Sequence, residues 1–166
     1  MDDDDLGVPV WEAPPVGVLP GVAPTAVIMG RNPETLVALT CLRCYPDGVE
    51  MLLTVRTRHR ADALDRAVNI DNPGRLDWSV RHADGSVARP DYLSVGRPPG
   101  PTIVPLAGYG TDTTLDLGFW LWPLPAEGPL TVECAWPDRD LSMVTTTVDV
   151  GPLREAASRA VAAWRE

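Results

Sequence analysis

Five residues carry the potential for metal or redox chemistry, namely three cysteines and two histidines. Cys41 and Cys44 form a C-x-x-C pair, and Cys134, His59 and His82 are candidate further ligands. Zinc sites usually place such a pair on a tight turn, where both sulfurs converge on the metal. This pair lies instead in a predicted strand, whose alternation sends residues three apart to opposite faces. We therefore predict no metal site, no disulfide and no cofactor, with Cys41 as a buried thiol of the core.

Catalytic chemistry has weaker support. His59 and His82 are flanked by arginines at predicted strand ends or turns, and neither has an evident nucleophile beside it. No G-x-S-x-G segment marks a nucleophile elbow, and the absence of lysine excludes Schiff-base chemistry. The glycine-rich stretch 108–110 precedes a predicted strand rather than a helix, and Asp112 and Asp116 are too few carboxylates for a calcium cage. We predict no catalytic residues.

Binding is better supported, because a predicted strand places tryptophans on a face that is usually polar. Alternation over residues 115–122 puts Leu115, Leu117, Phe119 and Leu121 on one face and Asp116, Gly118, Trp120 and Trp122 on the other. Trp120 and Trp122 must therefore be covered by another element or bind a partner. Together with Tyr109 and the basic stripe that contains Arg56 and Arg58, they are the candidate binding residues.

The clearest structural unit is a hairpin over residues 35–58, where Pro46-Asp47-Gly48 fits a three-residue loop. Pairing Tyr45 with Val49 makes one face of the hairpin more apolar than the other, which favours that register. The pairs that follow are Cys41 with Leu53, Leu39 with Val55, Val37 with Thr57, Leu42 with Leu52, Thr40 with Thr54 and Ala38 with Arg56.

Similar turn signals recur through residues 24–150 and predict about eight or nine short strands. Their spacing is typical of an antiparallel β-sandwich of immunoglobulin-like or jelly-roll type. Apolar residues at helical spacing after Gly151-Pro152 predict a helix over residues 151–166. A helix of this length is marginal alone, so we expect it to dock on the sandwich, with the face of Trp120 and Trp122 as a landing place.

Charge and composition narrow the function classes. The 166-residue chain has a net charge of −9, and residues 1–23 contain four consecutive aspartates, several prolines and no basic residue. We expect this tail to be extended or disordered. An acidic body without a large basic cluster argues against nucleic-acid binding. No apolar run approaches the length of a membrane span, and the acidic start is unlike a signal peptide. These features predict a cytoplasmic protein with neither a nucleic-acid nor a membrane partner.

Four segments occur in order over most of residues 35–164: the hairpin segment 38–50, Arg81-His82-Ala83-Asp84-Gly85, Trp120-Leu121-Trp122-Pro123-Leu124-Pro125 and Glu133-Cys134-Ala135-Trp136-Pro137. In these segments the chain resembles an uncharacterised family of small actinobacterial proteins. The resemblance implies a small cytoplasmic protein of a high-G+C bacterium, in line with a composition whose 14 basic residues are all arginine. It implies no activity, cofactor or site residue.

Three hypotheses for function follow from the sequence. The first is a non-enzymatic protein-interaction or scaffold module that acts through the face of Trp120 and Trp122 or through the loops of residues 90–114. Its partner is a second protein, and a homo-oligomer is also compatible. The alternative is a small-molecule or carbohydrate-binding module, because tryptophan offers a flat apolar surface on which a sugar can stack. An enzyme of unidentified type is the third.

Overall fold

Antiparallel strands account for most of the regular structure. A computed structural model describes residues 7–61 and 64–165, without the side chains of residues 65 and 66. The strands of this part are β1 (Val18–Leu19), β2 (Gly21–Val22), β3 (Val27–Arg31), β4 (Thr35–Cys44), β5 (Val49–Thr57), β6 (Asp77–Arg81), β7 (Val87–Ala88), β8 (Thr102–Gly110), β9 (Thr114–Trp122), β10 (Leu130–Trp136), β11 (Leu141–Val148) and β12 (Val161–Ala162). The same part holds helix α1 (Gly151–Ser158) and 3-10 turns at Leu64–Val68 and Pro137–Arg139.

The strands form two principal sheets. In the first, β2 and β3 both pair with β4, and the sheet continues through β5 and β9 to β8. The second sheet has the order β11-β10-β6-β7, and β1 pairs with β12 in a separate ladder. The predicted all-β sandwich with a C-terminal helix is confirmed. The described strands outnumber the predicted ones because β1, β2 and β12, each only two residues long, lie outside residues 24–150.

The core lies between the two sheets and is built by strict alternation. Strand β5 buries Val49, Met51, Leu53 and Val55, while β10 buries Leu130, Val132, Cys134 and Trp136. Trp78 of β6 meets Phe119 of β9 edge-to-face, with 5.1 Å between ring centroids. Edge-to-face pairs of this kind stabilise a core beyond the area that they bury. Trp78 and Trp136 are therefore core residues.

The register of the β4–β5 hairpin differs from the predicted one. The observed pairs include Cys44 with Val49, Thr40 with Leu52, Leu39 with Leu53 and Val37 with Val55. Each predicted partner is thus displaced by one residue near the turn and by two residues further along. The difference between the two displacements arises at a β-bulge between Thr40 and Arg43. Because a displacement of two preserves the faces, Val37, Leu39, Leu53 and Val55 are buried as expected.

Cys41 lies in this bulge, and the prediction that it is a core thiol is wrong. Its φ is 52°, a left-handed conformation, and its side chain is exposed. The extra residue reverses the alternation of β4, so that Leu42 and Cys44 turn into the core instead. The two thiols of the C-x-x-C pair therefore point to different environments, one exposed and one buried.

Helix α1 is shorter than the predicted 151–166 and packs against β2 and β4. It buries Leu153, Ala156 and Ala157. The helix ends at Ser158 because the chain turns into β12, where Val161 and Ala162 pair with β1. The predicted helical stripe is thus interrupted by a strand pairing with a distant part of the sequence. Trp164, which the helical pattern assigns to the docked face, is exposed. Residue 166 lies outside the described residues.

The part of the N-terminal segment that the structure describes, residues 7–23, is integrated into the fold. It supplies β1 and β2, and β2 pairs with the last residues of β4. Close packing of β2 against α1 requires Gly21, since a Cβ at this position would overlap the carbonyl oxygen of Ala156. Residues 1–6, which contain the four aspartates of the expected acidic tail, lie outside the described residues.

Candidate binding site

Trp120 lies on the outer face of β9, as its position in the alternation predicts, and it is fully buried. Its indole Nε1–H donates a 2.8 Å hydrogen bond to the carbonyl oxygen of Val10. The ring of Tyr45 packs on it edge-to-face at 5.5 Å, and Gly48 allows close approach because a Cβ there would overlap the indole. The cover over Trp120 is therefore the N-terminal segment and Tyr45, while the helix packs on β2 and β4. Trp120 offers no free surface in this arrangement.

Trp122 is only partly buried, and it belongs to a stack of three side chains. Its ring lies 6.4 Å from that of Trp11, and the guanidinium of Arg97 lies 5.8 Å from the Trp122 ring and 5.6 Å from the Trp11 ring. A guanidinium within about 6 Å of an indole face is attracted by the ring quadrupole. We call Trp11, Arg97 and Trp122 the Arg97 stack.

The loop that carries Arg97 is shaped by local hydrogen bonds and glycine. The Asp91 carboxylate accepts 3.0 Å hydrogen bonds from the backbone amides of Leu93 and Ser94. The Ser94 side chain, followed by these two amides, holds the pKa of Asp91 below its ordinary value. Gly96 adopts a φ of +87°, which L side chains rarely adopt. The Asp91 amide also donates to the carbonyl of Ile103 at 2.9 Å, which ties the loop to β8.

A cleft of about 440 Å³ opens beside the Arg97 stack. Its walls include Trp122 and Arg97. Four prolines, Pro98, Pro99, Pro101 and Pro123, line it as well, together with the turn that follows β6. We call this space the Trp122 cleft. Its volume lies within the range of about 300–1,000 Å³ that small-ligand sites occupy.

His82 contributes a neutral imidazole to the Trp122 cleft. Burial lowers its pKa below the ordinary 6.5, and the opposing effect of Asp84 is smaller. The buried Nε2 atom has no hydrogen-bond partner within the described residues. Asp84, which also lines the cleft, accepts hydrogen bonds from the Ser86 amide and hydroxyl, and these lower the Asp84 pKa. The cleft thus combines an apolar surface with one guanidinium, one neutral imidazole and the carboxylates of Asp84 and Glu127.

A second cleft, of about 470 Å³, is lined by Trp11, Asp91, Tyr92 and the first part of β8. The loop also projects two apolar side chains into solvent, and one of them, Val95, contributes to the lining of this second cleft. Leu93 is 76% exposed and Val95 is 97% exposed. We call these two residues the apolar tip. Single exposed apolar side chains are common on protein surfaces, and these two differ in the extent of their exposure and in lying on a loop whose backbone is hydrogen-bonded.

The other candidate binding residues lie toward the far end of the same sheet. Tyr109 is exposed and pairs with Asp116, which receives 3.0 and 3.3 Å hydrogen bonds from the guanidinium of Arg56. Asp116 precedes Trp122 by six residues of one strand, a distance of about 20 Å. Arg58 is exposed at the end of the hairpin. The structure therefore does not bring Tyr109, Arg56 and Arg58 together with Trp122.

The buried thiols are poorly suited to redox or metal chemistry. Burial raises the pKa of Cys44 to about 11 and that of Cys134 to about 12, so both thiols stay protonated near neutral pH. In the part of the chain that the structure describes, no three His, Cys, Asp or Glu side chains are grouped so that they could hold a metal ion.

Sequence reasoning identified Trp122 but missed Trp11, Arg97 and the position of His82 in the lining of the Trp122 cleft. The available signal was a tryptophan inside a segment otherwise suited to disorder, since burying an indole stabilises an ordered contact. Arg97 carried no such signal, because its partners are far away in the sequence.

Comparison of the chain with protein-family models, with curated proteins and with solved structures finds no match. No described helix has the length and apolar character required to cross a membrane.

Proposed function

We propose that this protein is a non-enzymatic protein-interaction module that binds its partner through the loop of residues 91–97. The observation that carries the proposal is the apolar tip, because Leu93 and Val95 are exposed on a loop whose backbone is held in place. Exposed apolar side chains of this size contribute most when a partner buries them in a pocket. The partner we propose is therefore a protein with a complementary apolar pocket.

Preorganisation supports this role. The Asp91 side chain, the contact between Asp91 and Ile103, and the Arg97 stack fix both ends of the loop. A loop that is ordered before binding loses less conformational entropy when the complex forms. An apolar tip on such a loop can thus bind a protein without the cost of folding a flexible segment.

The charge of the molecule favours a protein over a membrane or a nucleic acid as the partner. The net charge is −9, which repels both phosphate backbones and anionic lipid surfaces. Several arginine side chains outside the loop are paired with carboxylates of the chain itself, including Arg43 with Glu50, Arg56 with Asp116 and Arg60 with Asp112.

A differential capture experiment tests the proposal. The full chain, immobilised, is exposed to extract of its native host beside the Leu93→Ser/Val95→Ser double variant. The matched control is Val16→Ser/Val22→Ser, which removes two apolar side chains of comparable exposure, 68% and 59%, from other surfaces. A protein retained by the wild type and the control but lost from the loop variant supports the proposal. Equal retention by all three overturns it.

The captured protein is then purified and titrated against the same three chains. Loss of a hot-spot side chain costs at least ~2 kcal/mol, so we expect the loop variant to bind about 30-fold more weakly. A second copy of this chain among the captured proteins identifies the interaction as homo-oligomeric, and the same variants then test it by sedimentation.

We further propose that the sandwich is of immunoglobulin-like or jelly-roll type, that the protein is cytoplasmic and that its relatives are actinobacterial. Two antiparallel sheets packed face to face support the first expectation. Three free cysteines support the second, because reducing compartments keep thiols unpaired. The arginine-only basic residues support the third. Detection of a disulfide in the native protein would contradict the cytoplasmic location.

A further inference from the structure

The Trp122 cleft has the properties of a preformed small-ligand site, independent of the apolar tip. Proline fixes its own φ, so Pro98, Pro99, Pro101 and Pro123 give the cleft stiff walls. The ring of Trp122 adds a flat apolar surface of the kind that carbohydrate and aromatic rings stack on. A ligand that enters such a cleft does not have to order it first.

Arg97 supplies the positive charge of the cleft. Its guanidinium is positioned by the two indoles of the Arg97 stack. Within residues 7–61 and 64–165 it has no ion pair and no hydrogen bond, so its N–H donors remain available. A guanidinium binds a carboxylate through two parallel hydrogen bonds, and holding it in place before binding reduces the entropy lost.

The remaining polar groups limit the charge of the ligand. Asp84 and Glu127 also line the cleft, and their carboxylates oppose the entry of a phosphate or another polyanion. They accept hydrogen bonds from hydroxyl groups, as does a neutral imidazole such as His82. The combination favours a ligand with one negative charge, a ring and hydrogen-bond donors.

We propose that the Trp122 cleft binds a small cyclic monocarboxylate, with its carboxylate on Arg97 and its ring against Trp122 and the prolines. A sugar acid and an aromatic acid share this chemistry. Glucuronate and benzoate are therefore the two probes, and glucose and benzamide are their uncharged counterparts.

The test is a titration of the full-length ¹⁵N-labelled protein, followed through the indole N–H signals in NMR spectra. We expect glucuronate, benzoate or both to shift the Trp122 indole signal in a saturable manner, and the uncharged counterparts to bind at least 10-fold more weakly. A response to glucuronate alone assigns the site to sugar acids, and a response to benzoate alone assigns it to aromatic acids. If neither acid binds in a saturable manner up to about 10 mM, the proposal is overturned, because a dissociation constant above that concentration is too weak for a specific site.

Two variants distinguish specific binding in the Trp122 cleft from a general effect of the charge of the protein. Arg97→Met should weaken binding of the acids at least 10-fold, whereas Arg58→Met, which removes the same charge from an exposed position, should leave it unchanged. Equal binding by wild type and Arg97→Met overturns the assignment. His82→Gln, whose amide keeps a polar group at this position, provides a second variant if Arg97→Met fails to fold, and it should weaken glucuronate at least threefold.

One further variant completes the design. The Leu93→Ser/Val95→Ser variant should bind the acids as the wild type does, so that failure of this proposal and failure of the protein-interaction proposal are distinguishable.

Discussion

Cys41 occupies the bulge of β4 with a left-handed backbone and an exposed side chain, while Cys44 and Cys134 are buried. Exposure therefore separates Cys41 from the two buried thiols. Thiolates are the reactive form of cysteine, and burial disfavours the charge of a thiolate. The raised pKa values of Cys44, about 11, and Cys134, about 12, reflect this effect.

We predict that one thiol per chain reacts rapidly with Ellman's reagent in the native protein and that all three react after denaturation. The Cys41→Ser variant should lose the fast reaction and retain the other two after denaturation. Fast reaction of two or more thiols in the native wild type would show that Cys44 or Cys134 is accessible.

His82 gives the molecule a specific pH dependence. Its pKa in the folded state is lower than the ordinary 6.5, so the unfolded chain binds a proton at higher pH than the folded protein does. This contribution is absent well above pH 6.5 and destabilises the fold increasingly as the pH falls from there toward the folded-state pKa. Asp84 reduces the effect without reversing it.

We therefore expect the melting temperature of the His82→Gln variant to fall less than that of the wild type when the pH is lowered from about 7.5 to 5. The control is His59→Gln, because His59 is exposed and contacts Glu34 at 3.4 Å on the surface. Thermal unfolding followed by circular dichroism measures both. The same pH slope in His82→Gln and in the wild type would contradict the buried neutral imidazole.

Helix α1 and strand β2 illustrate how closely two elements pack here. Gly21 lies against the helix backbone at Ala156, where no Cβ fits, and the small side chains of Ala156 and Ala157 allow the approach. Helix stability in such a short segment comes from packing rather than from its own hydrogen bonds. A change at Gly21 therefore acts on the helix and on the sheet edge together.

We predict that Gly21→Ala lowers the free energy of unfolding by at least ~2 kcal/mol, as overpacking against backbone does. Gly100→Ala is the matched control, since nothing lies within 4 Å of a Cβ at Gly100, and it should change stability by less than about 0.5 kcal/mol. Urea unfolding measures both. Equal stability of the two variants would mean that α1 does not approach β2 this closely.

The sequence predicted these elements well where the physics is local. Alternation assigned the faces of β5 and β9 correctly, and the proline at position 152 marked the start of α1. It could not predict the bulge at Cys41, because no glycine or asparagine signals the left-handed residue there. The sequence pattern also could not predict that the helix ends at Ser158. The helix competes there with the strand pairing of residues 161–162 to residues 18–19, which are distant in the sequence.

The candidate site was harder to predict than the fold, because it depends more on contacts between residues that are distant in the sequence. The sequence pattern predicted tryptophans on the outer face of β9, and other parts of the chain do pack on them. What packs there comes from residues 10–11 and from Arg97, which are remote in sequence from β9. Proline and acidic residues around Trp11 favour disorder on composition alone, and a few tertiary contacts were enough to outweigh that tendency.

As a whole, the molecule has an additional layer over its six-stranded sheet, formed in part by the N-terminal segment. The hydrogen bond between Trp120 and Val10 and the packing of Trp11 on Trp122 hold this layer in place. Removal of the layer would expose two indoles on an otherwise solvent-facing sheet. Stability, shape of the Trp122 cleft and resistance to proteolysis are therefore linked through the same few contacts.

We predict that Trp120→Phe, which keeps an aromatic ring but removes the indole donor, destabilises the fold by about 1–3 kcal/mol, because the buried site loses side-chain volume and the hydrogen bond to the Val10 carbonyl. Cleavage after Glu12 by a glutamate-specific protease should become faster in this variant. Trp164→Phe, at an exposed tryptophan, is the control and should cleave as the wild type does. Unchanged cleavage in Trp120→Phe would argue that other contacts hold the segment.

The ladder between β1 and β12 also has a consequence for how the chain folds. It joins residues 18–19 to residues 161–162 and closes a loop of about 140 residues, so its entropic cost is recovered only after the sandwich exists. Until then the alanine-rich sequence beyond Ser158 is free to continue the turns of α1, as its periodicity favours. We expect the last step of folding to be an exchange at the C-terminus, in which nascent helical turns are given up for two residues of strand. Hydrogen exchange should find the amides of β12 among the first to open.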